Sequence, residues 1–255
     1  MPGGRCLRDR RSSSHSVPMR HRILGLVAAS ISATLLALVP TTPAGAEPAQ
    51  PSVTYVDLVA MFGEKVGDRR TVETGLPSLN RAMADAQITT AYRQAAYLTT
   101  LANESSFHHD AKAGDKRKFT GRGYIQLTGE ANYADAGTYF GIDLRRRPEL
   151  ARSLDHSAPI SRWYWTVARD INPLADALDM GKVNEAIGYP RNKAEDAERC
   201  RDFKAALKHL NGSVPRGINC ARPKKRVGDE NGVDAADAGM RSGRGIPASA
   251  PTQNS

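Results

Sequence analysis

Phe119-Thr120-Gly121-Arg122-Gly123-Tyr124-Ile125-Gln126-Leu127-Thr128-Gly129, followed closely by Asn132-Tyr133, is a glycine-flanked run with two unlike faces. Tyr124, Gln126 and Thr128 alternate with Ile125 and Leu127. A period of two predicts a short strand over residues 123–127, with hydrogen-bonding side chains on one side and aliphatic ones on the other. Gly121 and Gly123 allow a ligand or a second backbone to approach closely. An aromatic ring, an amide and a hydroxyl on one open face suit a sugar. An ordinary half-buried strand would carry the same periodicity, so the neighbouring sequence decides between them.

Upstream, residues 94–107 read Gln-Ala-Ala-Tyr-Leu-Thr-Thr-Leu-Ala-Asn-Glu-Ser-Ser-Phe, an amphipathic helix ending in a lone carboxylate. Leu98, Leu101 and Ala102 fall at i, i+3 and i+4 and mark the core-facing stripe. Glu104 leaves the helix at the edge of that stripe, in the partly desolvated setting that suits a general acid. A polar helix end paired with a nearby Arg would be the structural alternative.

Taken together, Glu104-Ser105-Ser106-Phe107, the Phe119-to-Gly129 string and Asn132-Tyr133 resemble glycoside hydrolase family 19, which holds chitinases and related endolysins. The resemblance runs more loosely from about residue 78 to 211. It implies a mainly α, lysozyme-like α+β fold with a small β element beside a substrate cleft. It also implies inverting hydrolysis of β-1,4-linked N-acetylglucosamine polymers without a metal or other cofactor. By position, Glu104 matches the family's general acid and Thr128 the hydroxyl that helps hold the attacking water. Gln126 and Asn132 match cleft-lining residues, and Tyr124 falls where the family varies. Asn103 stands where the family has His, and Ser106 where it has Gly. The loop over residues 108–118 has no Glu, so Asp115 and Asp110 are its two candidates for the second acid. Ile187-Gly188-Tyr189 occupies the place of an Ile-Asn-Gly-Gly turn.

The ends of the chain read differently. Six Arg precede an apolar run at 23–39 and the small-residue site Ala44-Gly45-Ala46, so residues 1–46 are expected to be a secretion signal rather than a permanent membrane anchor. Residues 47–52 form a Pro/Ala linker. Residues 222–255, poor in large apolar side chains, are expected to be a disordered tail. Residues 53–221 remain, enough for one domain with a single core and a monomer. The leader's six Arg and one Asp account for most of the net charge of +9, leaving about +4 on the rest. With no nucleic-acid signature, that balance does not indicate nucleic-acid binding. The basic clusters Lys116-Arg117-Lys118 and Arg145-Arg146-Arg147 read as solvated surface that would attract an anionic cell wall.

Cys6 lies in the leader, so Cys200 and Cys220 make an even pair in an oxidising compartment and are expected to form a disulfide. It would close a loop of about 20 residues and contribute roughly 3 kcal/mol. On a helix over 194–210, Cys200 shares a stripe with Phe203, Ala206, Leu207 and Leu210, and the Asn211-Gly212 stop lets the chain return along the same helix. Other helices are expected near 54–62, 78–86, 90–104, 130–140, 148–154, 157–167, 173–177 and 179–187. Trp163, Tyr164 and Trp165 point about 100° apart, so one or two should be core and one should border the cleft. His108 and His109 read as exposed loop residues rather than metal ligands.

Two functions follow. One is a secreted glycosidase cleaving chitin or peptidoglycan, with Glu104 protonating the leaving oxygen and Asp115 or Asp110 activating water. The other is a family member that binds such glycans through Tyr124, Gln126 and Thr128 without cleaving them.

Overall fold

The computed structural model describes residues 52–188 and 192–223. The leader, most of the short linker, Tyr189 and the tail beyond 223 lie outside the described residues. The architecture is helical, and its starts are set by capping chemistry. α1 (Tyr55–Phe62) opens on a reciprocal cap: the Thr54 hydroxyl accepts from the Asp57 N–H while the Asp57 carboxylate accepts from the Thr54 N–H. Asp68, Thr90, Asp179 and Asn192 accept first-turn N–H groups at α2 (Arg69–Asp85), α3 (Ala91–Ser105), α7 (Met180–Ile187) and α8 (Lys193–Asn211). α4 (Glu130–Phe140), α5 (Ser157–Trp163) and α6 (Asn172–Asp176) complete the set among the described residues.

α3 is the central helix. Every residue from Gln94 to Ala102 is buried, so it is enclosed on all sides rather than amphipathic as its sequence suggested. It packs most extensively on α8, with α6 and α7 on other flanks; α1 covers α8, and α2 packs on α5.

α2 begins nine residues earlier than the sequence indicated, because Gly75 and Pro77 look like breakers and are not. Pro77 is exposed, where a carbonyl deprived of its donor can meet water. Gly75 is a contact point: a β-carbon there would lie 2.1 Å from the Tyr124 hydroxyl oxygen.

The expected strand over 123–127 is a tight turn instead. Gly123 (φ 70°) and Gln126 (φ 52°) are left-handed, and the Gln126 N–H reaches the Gly123 carbonyl. Arg122 and Leu127 exchange both backbone hydrogen bonds across it, and Lys112 bridges to Arg122 on the other side. The alternation seen in the sequence therefore does not give two flat faces. Trp163, Tyr164 and Trp165 are all buried, so none borders open solvent. α5 widens into a π-turn at Tyr164–Ala168, which re-aims successive side chains. Trp165 meets Tyr97 edge-on and donates to the Asn172 side chain.

Cys200 and Cys220 are bonded, with Cα atoms 5.8 Å apart. The returning chain is also held at Asn219, whose N–H donates to the Leu178 carbonyl and whose carbonyl accepts from the Gly181 N–H. Arg222 pairs with Asp196, one residue past the expected domain end. Among the described residues no helix is long and apolar enough to cross a membrane.

Candidate active site

Glu104 sits in the last turn of α3, its side chain 20% exposed, and Arg199 of α8 donates from Nη2 to its Oε1 at 2.8 Å. The Arg199 side chain is only 9% exposed, and its Nη1 is buried with no protein partner. A carboxylate and a guanidinium this sheltered interact more strongly than they would at the surface. Directly after Glu104 the helix is stopped by two consecutive left-handed residues, Ser106 (φ 52°) and Phe107 (φ 62°). The Ser106 carbonyl accepts from the Gly67 N–H, and Phe107 is fully buried against Phe62. This sharp stop brings the following loop back to the 121–128 turn. The Gly123 N–H donates to the Ala111 carbonyl, and the Ala113 N–H to the Gly121 carbonyl.

Within the turn, Gln126 and Thr128 converge over Gly121. A β-carbon at Gly121 would lie 2.7 Å from Gln126 Oε1 and 3.2 Å from Thr128 Oγ1, so glycine is what allows the two polar groups to share that space. Gln126 Nε2 donates to the Gly123 carbonyl and the Thr128 hydroxyl to the Gln126 carbonyl. Asn132 Nδ2 donates to the Thr128 carbonyl, while its Oδ1 is buried without a protein partner. Arg122, 7% exposed, is the buttress: its Nη1 reaches the Lys118 and Thr120 carbonyls and the Tyr133 hydroxyl.

The remaining candidates lie in different settings. Tyr124 is 1% exposed, with its hydroxyl under α2 and its ring facing His109. It packs the core and offers no open face to a sugar. Burial pushes its hydroxyl well above the ordinary tyrosine range, helped by nearby Tyr97 and Asp110. Asp115 is engaged through both carboxylate oxygens by Arg117 of its own loop. The Arg117 side chain beside it holds its carboxyl well below the usual carboxylate range, which makes it a weak proton acceptor. The Asp110 side chain is exposed, and its carbonyl accepts from Arg152. The histidines are not free loop residues: His108 Nε2 accepts from the Asp68 N–H at 2.9 Å, and His109 Nδ1 is buried.

The sequence reading offered an Arg partner for Glu104 as the structural alternative, and that pairing is present, but it did not name Arg199, and it assigned nothing to Arg122. A signal for Arg199 existed: the buried stripe of α8 is Arg199, Phe203, Ala206 and Leu207, so an Arg occupies the position of an apolar residue.

Comparison with known proteins identifies the family and the fold. The chitinase class I model of glycoside hydrolase family 19 matches residues 82–233. A glycosyl hydrolase family 19 domain-containing protein of Haemophilus influenzae is 35% identical over 98 residues, covering 38% of this chain and 46% of that protein. Chitinase 8 of Oryza sativa subsp. japonica is 33% identical over 114 residues, covering 44% and 41%. The chain thus spans less than half the length of these curated relatives. Among solved structures, chitinase C from Streptomyces griseus HUT6037 superposes with a TM-score of 0.54 at 18% identity, over 67% of this chain and 97% of that one. A bacterial family 19 chitinase gives 0.51 at 20% identity, over 67% and 100%. These likenesses show the fold: mainly α and lysozyme-like.

Proposed function

Because this chain belongs to glycoside hydrolase family 19, we propose that it is an exported, monomeric glycosidase that cleaves β-1,4-linked N-acetylglucosamine polymers with inversion. The observation that carries this reading is a partly exposed Glu104 at the end of α3, where the family's general acid is matched, followed by a loop hydrogen-bonded to a glycine-pinched turn that presents Gln126 and Thr128. Glu104 protonates the leaving glycosidic oxygen. Arg199 then stabilises the carboxylate that Glu104 becomes, a charge that grows along the reaction path. Thr128 and Gln126 hold the attacking water and the acetamido group, and Asn132 lines the same wall. Asp115 or Asp110 draws the proton from that water. Of the two, Asp110 is the less encumbered, and inversion requires it to lie about 6.5–9.5 Å from Glu104 when substrate is bound.

Chitin is favoured as the polymer because the similar proteins bear chitinase names. Peptidoglycan is a second substrate of the same class, favoured by exposed Lys112, Lys116 and Lys118 on the loop beside the turn, which attract an anionic wall. The engagement of Asp115 by Arg117 favours a second reading, in which the site binds glycan without cleaving it. One experiment separates these readings: reducing-end release from chitin and from cell-wall sacculi, run beside retention on both solids. Release supports the glycosidase, and the better-digested polymer identifies the substrate. Retention without release supports the binder.

A further inference from the structure

We propose that Lys65 is a positioning residue that keeps Arg199 directed at Glu104 by occupying the carboxylates that would otherwise compete for it. Its Nζ lies 2.5 Å from Asp202 Oδ2, 2.8 Å from Glu198 Oε1 and 2.9 Å from Asn103 Oδ1. Asn103 immediately precedes Glu104 on α3, and Glu198 and Asp202 flank Arg199 on α8. Asn103 Nδ2 also donates to Asp202 Oδ2 at 3.0 Å, so one ammonium group ties together the two helices that carry the Glu104–Arg199 pair.

The chemistry of competition is specific. Asp202 lies three residues beyond Arg199, one turn along the same helix, where a guanidinium and a carboxylate can pair. Its side chain is only 16% exposed, so its charge needs a cation. Arg199 has a donor available, since Nη1 is buried without a protein partner. With Lys65 in place, Asp202 is satisfied and Arg199 remains on Glu104. Without it, Arg199 is the cation on the same face of α8 as Asp202, one turn away, whereas Arg201 and Lys204 at one and two residues point elsewhere, and Arg199 turns toward Asp202. Lys65 lies just after α1, ahead of the residues matched by the family model.

This inference rests on the proposed glycosidase reading for its effect on rate, but its structural step does not. Lys65→Met should lower kcat about 10- to 100-fold, the scale expected when a group near the chemistry is misdirected, with KM within about twofold. Lys65→Arg should retain most activity. The double variant Lys65→Met/Asp202→Asn should recover most of the lost kcat, because the competing charge is gone; a merely structural lysine would move Tm in the single and double variants and leave the kcat of the folded protein unchanged. A crystal structure of Lys65→Met should show the Arg199 guanidinium on Asp202. Arg199 remaining on Glu104 in that structure, or a double variant no faster than the single one, overturns the proposal. If the wild-type protein releases no reducing ends, the glycosidase reading fails, while the crystal structure still decides the position of Arg199.

Discussion

Thr54 and Asp57 show how a single cap ties stability to pH. Partial burial pushes the Asp57 carboxyl up, but the Thr54 hydroxyl and N–H and the His209 ring outweigh it, so the carboxyl sits below its ordinary value. A carboxyl depressed in the folded state contributes stability above its unfolded value, and that contribution disappears as pH falls through the folded value. Thr54→Ala should cost about 1 kcal/mol at neutral pH, seen as a drop in Tm of roughly 2–4 °C. The gap to wild type should hold down to about pH 4 and narrow below it, where the Asp57 carboxyl takes up its proton. A gap that persists undiminished at pH 2 would contradict this linkage. At this scale the sequence was partly legible. Glu104 stood out as the one acid on its helix, and it is paired and sheltered. Its partner Arg199 is 95 positions away, and no local pattern links them. Tyr124 was misplaced because alternation was taken as a strand, whereas two left-handed residues fold that segment into a turn.

Elements were more legible than residues wherever a cap or a stop marked them. α4 and α7 follow their sequence signals closely, and the ends of α1, α3 and α8 shift by one residue. α2 was truncated for a physical reason: Gly75 weakens a helix in isolation, yet it is needed where the helix crosses the Tyr124 hydroxyl. Gly75→Ala should therefore destabilise by about 1–3 kcal/mol through overpacking, despite the better helix propensity of alanine. Adding Tyr124→Phe, which removes the clashing oxygen, should recover a large part of that loss in urea denaturation. No recovery in the double variant would show that the hydroxyl is not the obstacle. α8 gives the complementary case. Its disulfide to Cys220 was legible from the cysteine count and the compartment expected from the leader, and the pairing is present. The buried stripe, however, centres on Arg199 rather than Cys200. Cys200→Ser should lower stability by about 3 kcal/mol and raise hydrogen exchange over residues 213–220, with exchange in α3 unchanged under native conditions. Equal loosening of α3 would mean that the bridge supports the whole fold rather than its last segment.

For the whole molecule, family membership followed from a few residues around one glycine-rich turn because those residues are bound by close approach. Gly121 brings Gln126 and Thr128 together, and Gly75 admits Tyr124. The fold class followed with them. The helix that carries Glu104 is enclosed by elements from both ends of the described chain: α8 packs on it directly, and α1 covers α8 from a part of the sequence outside the family match. That closure places Lys65, Arg199 and Glu104 in one cluster, and it could not be read from any window of sequence. The second acid was not legible for a related reason. Asp110 and Asp115 look equivalent in the sequence, and they are separated by Arg117, which engages one of them. The central claim is that Glu104 is the proton donor of a glycosidase, and Glu104→Gln tests it most directly because the amide keeps the shape and an acceptor for Arg199 while losing the proton. Reducing-end release from chitin and from sacculi should fall about a hundred- to ten-thousandfold in Glu104→Gln, with Tm close to wild type and retention on the polymer preserved. Release at the wild-type rate by the folded variant would contradict the account.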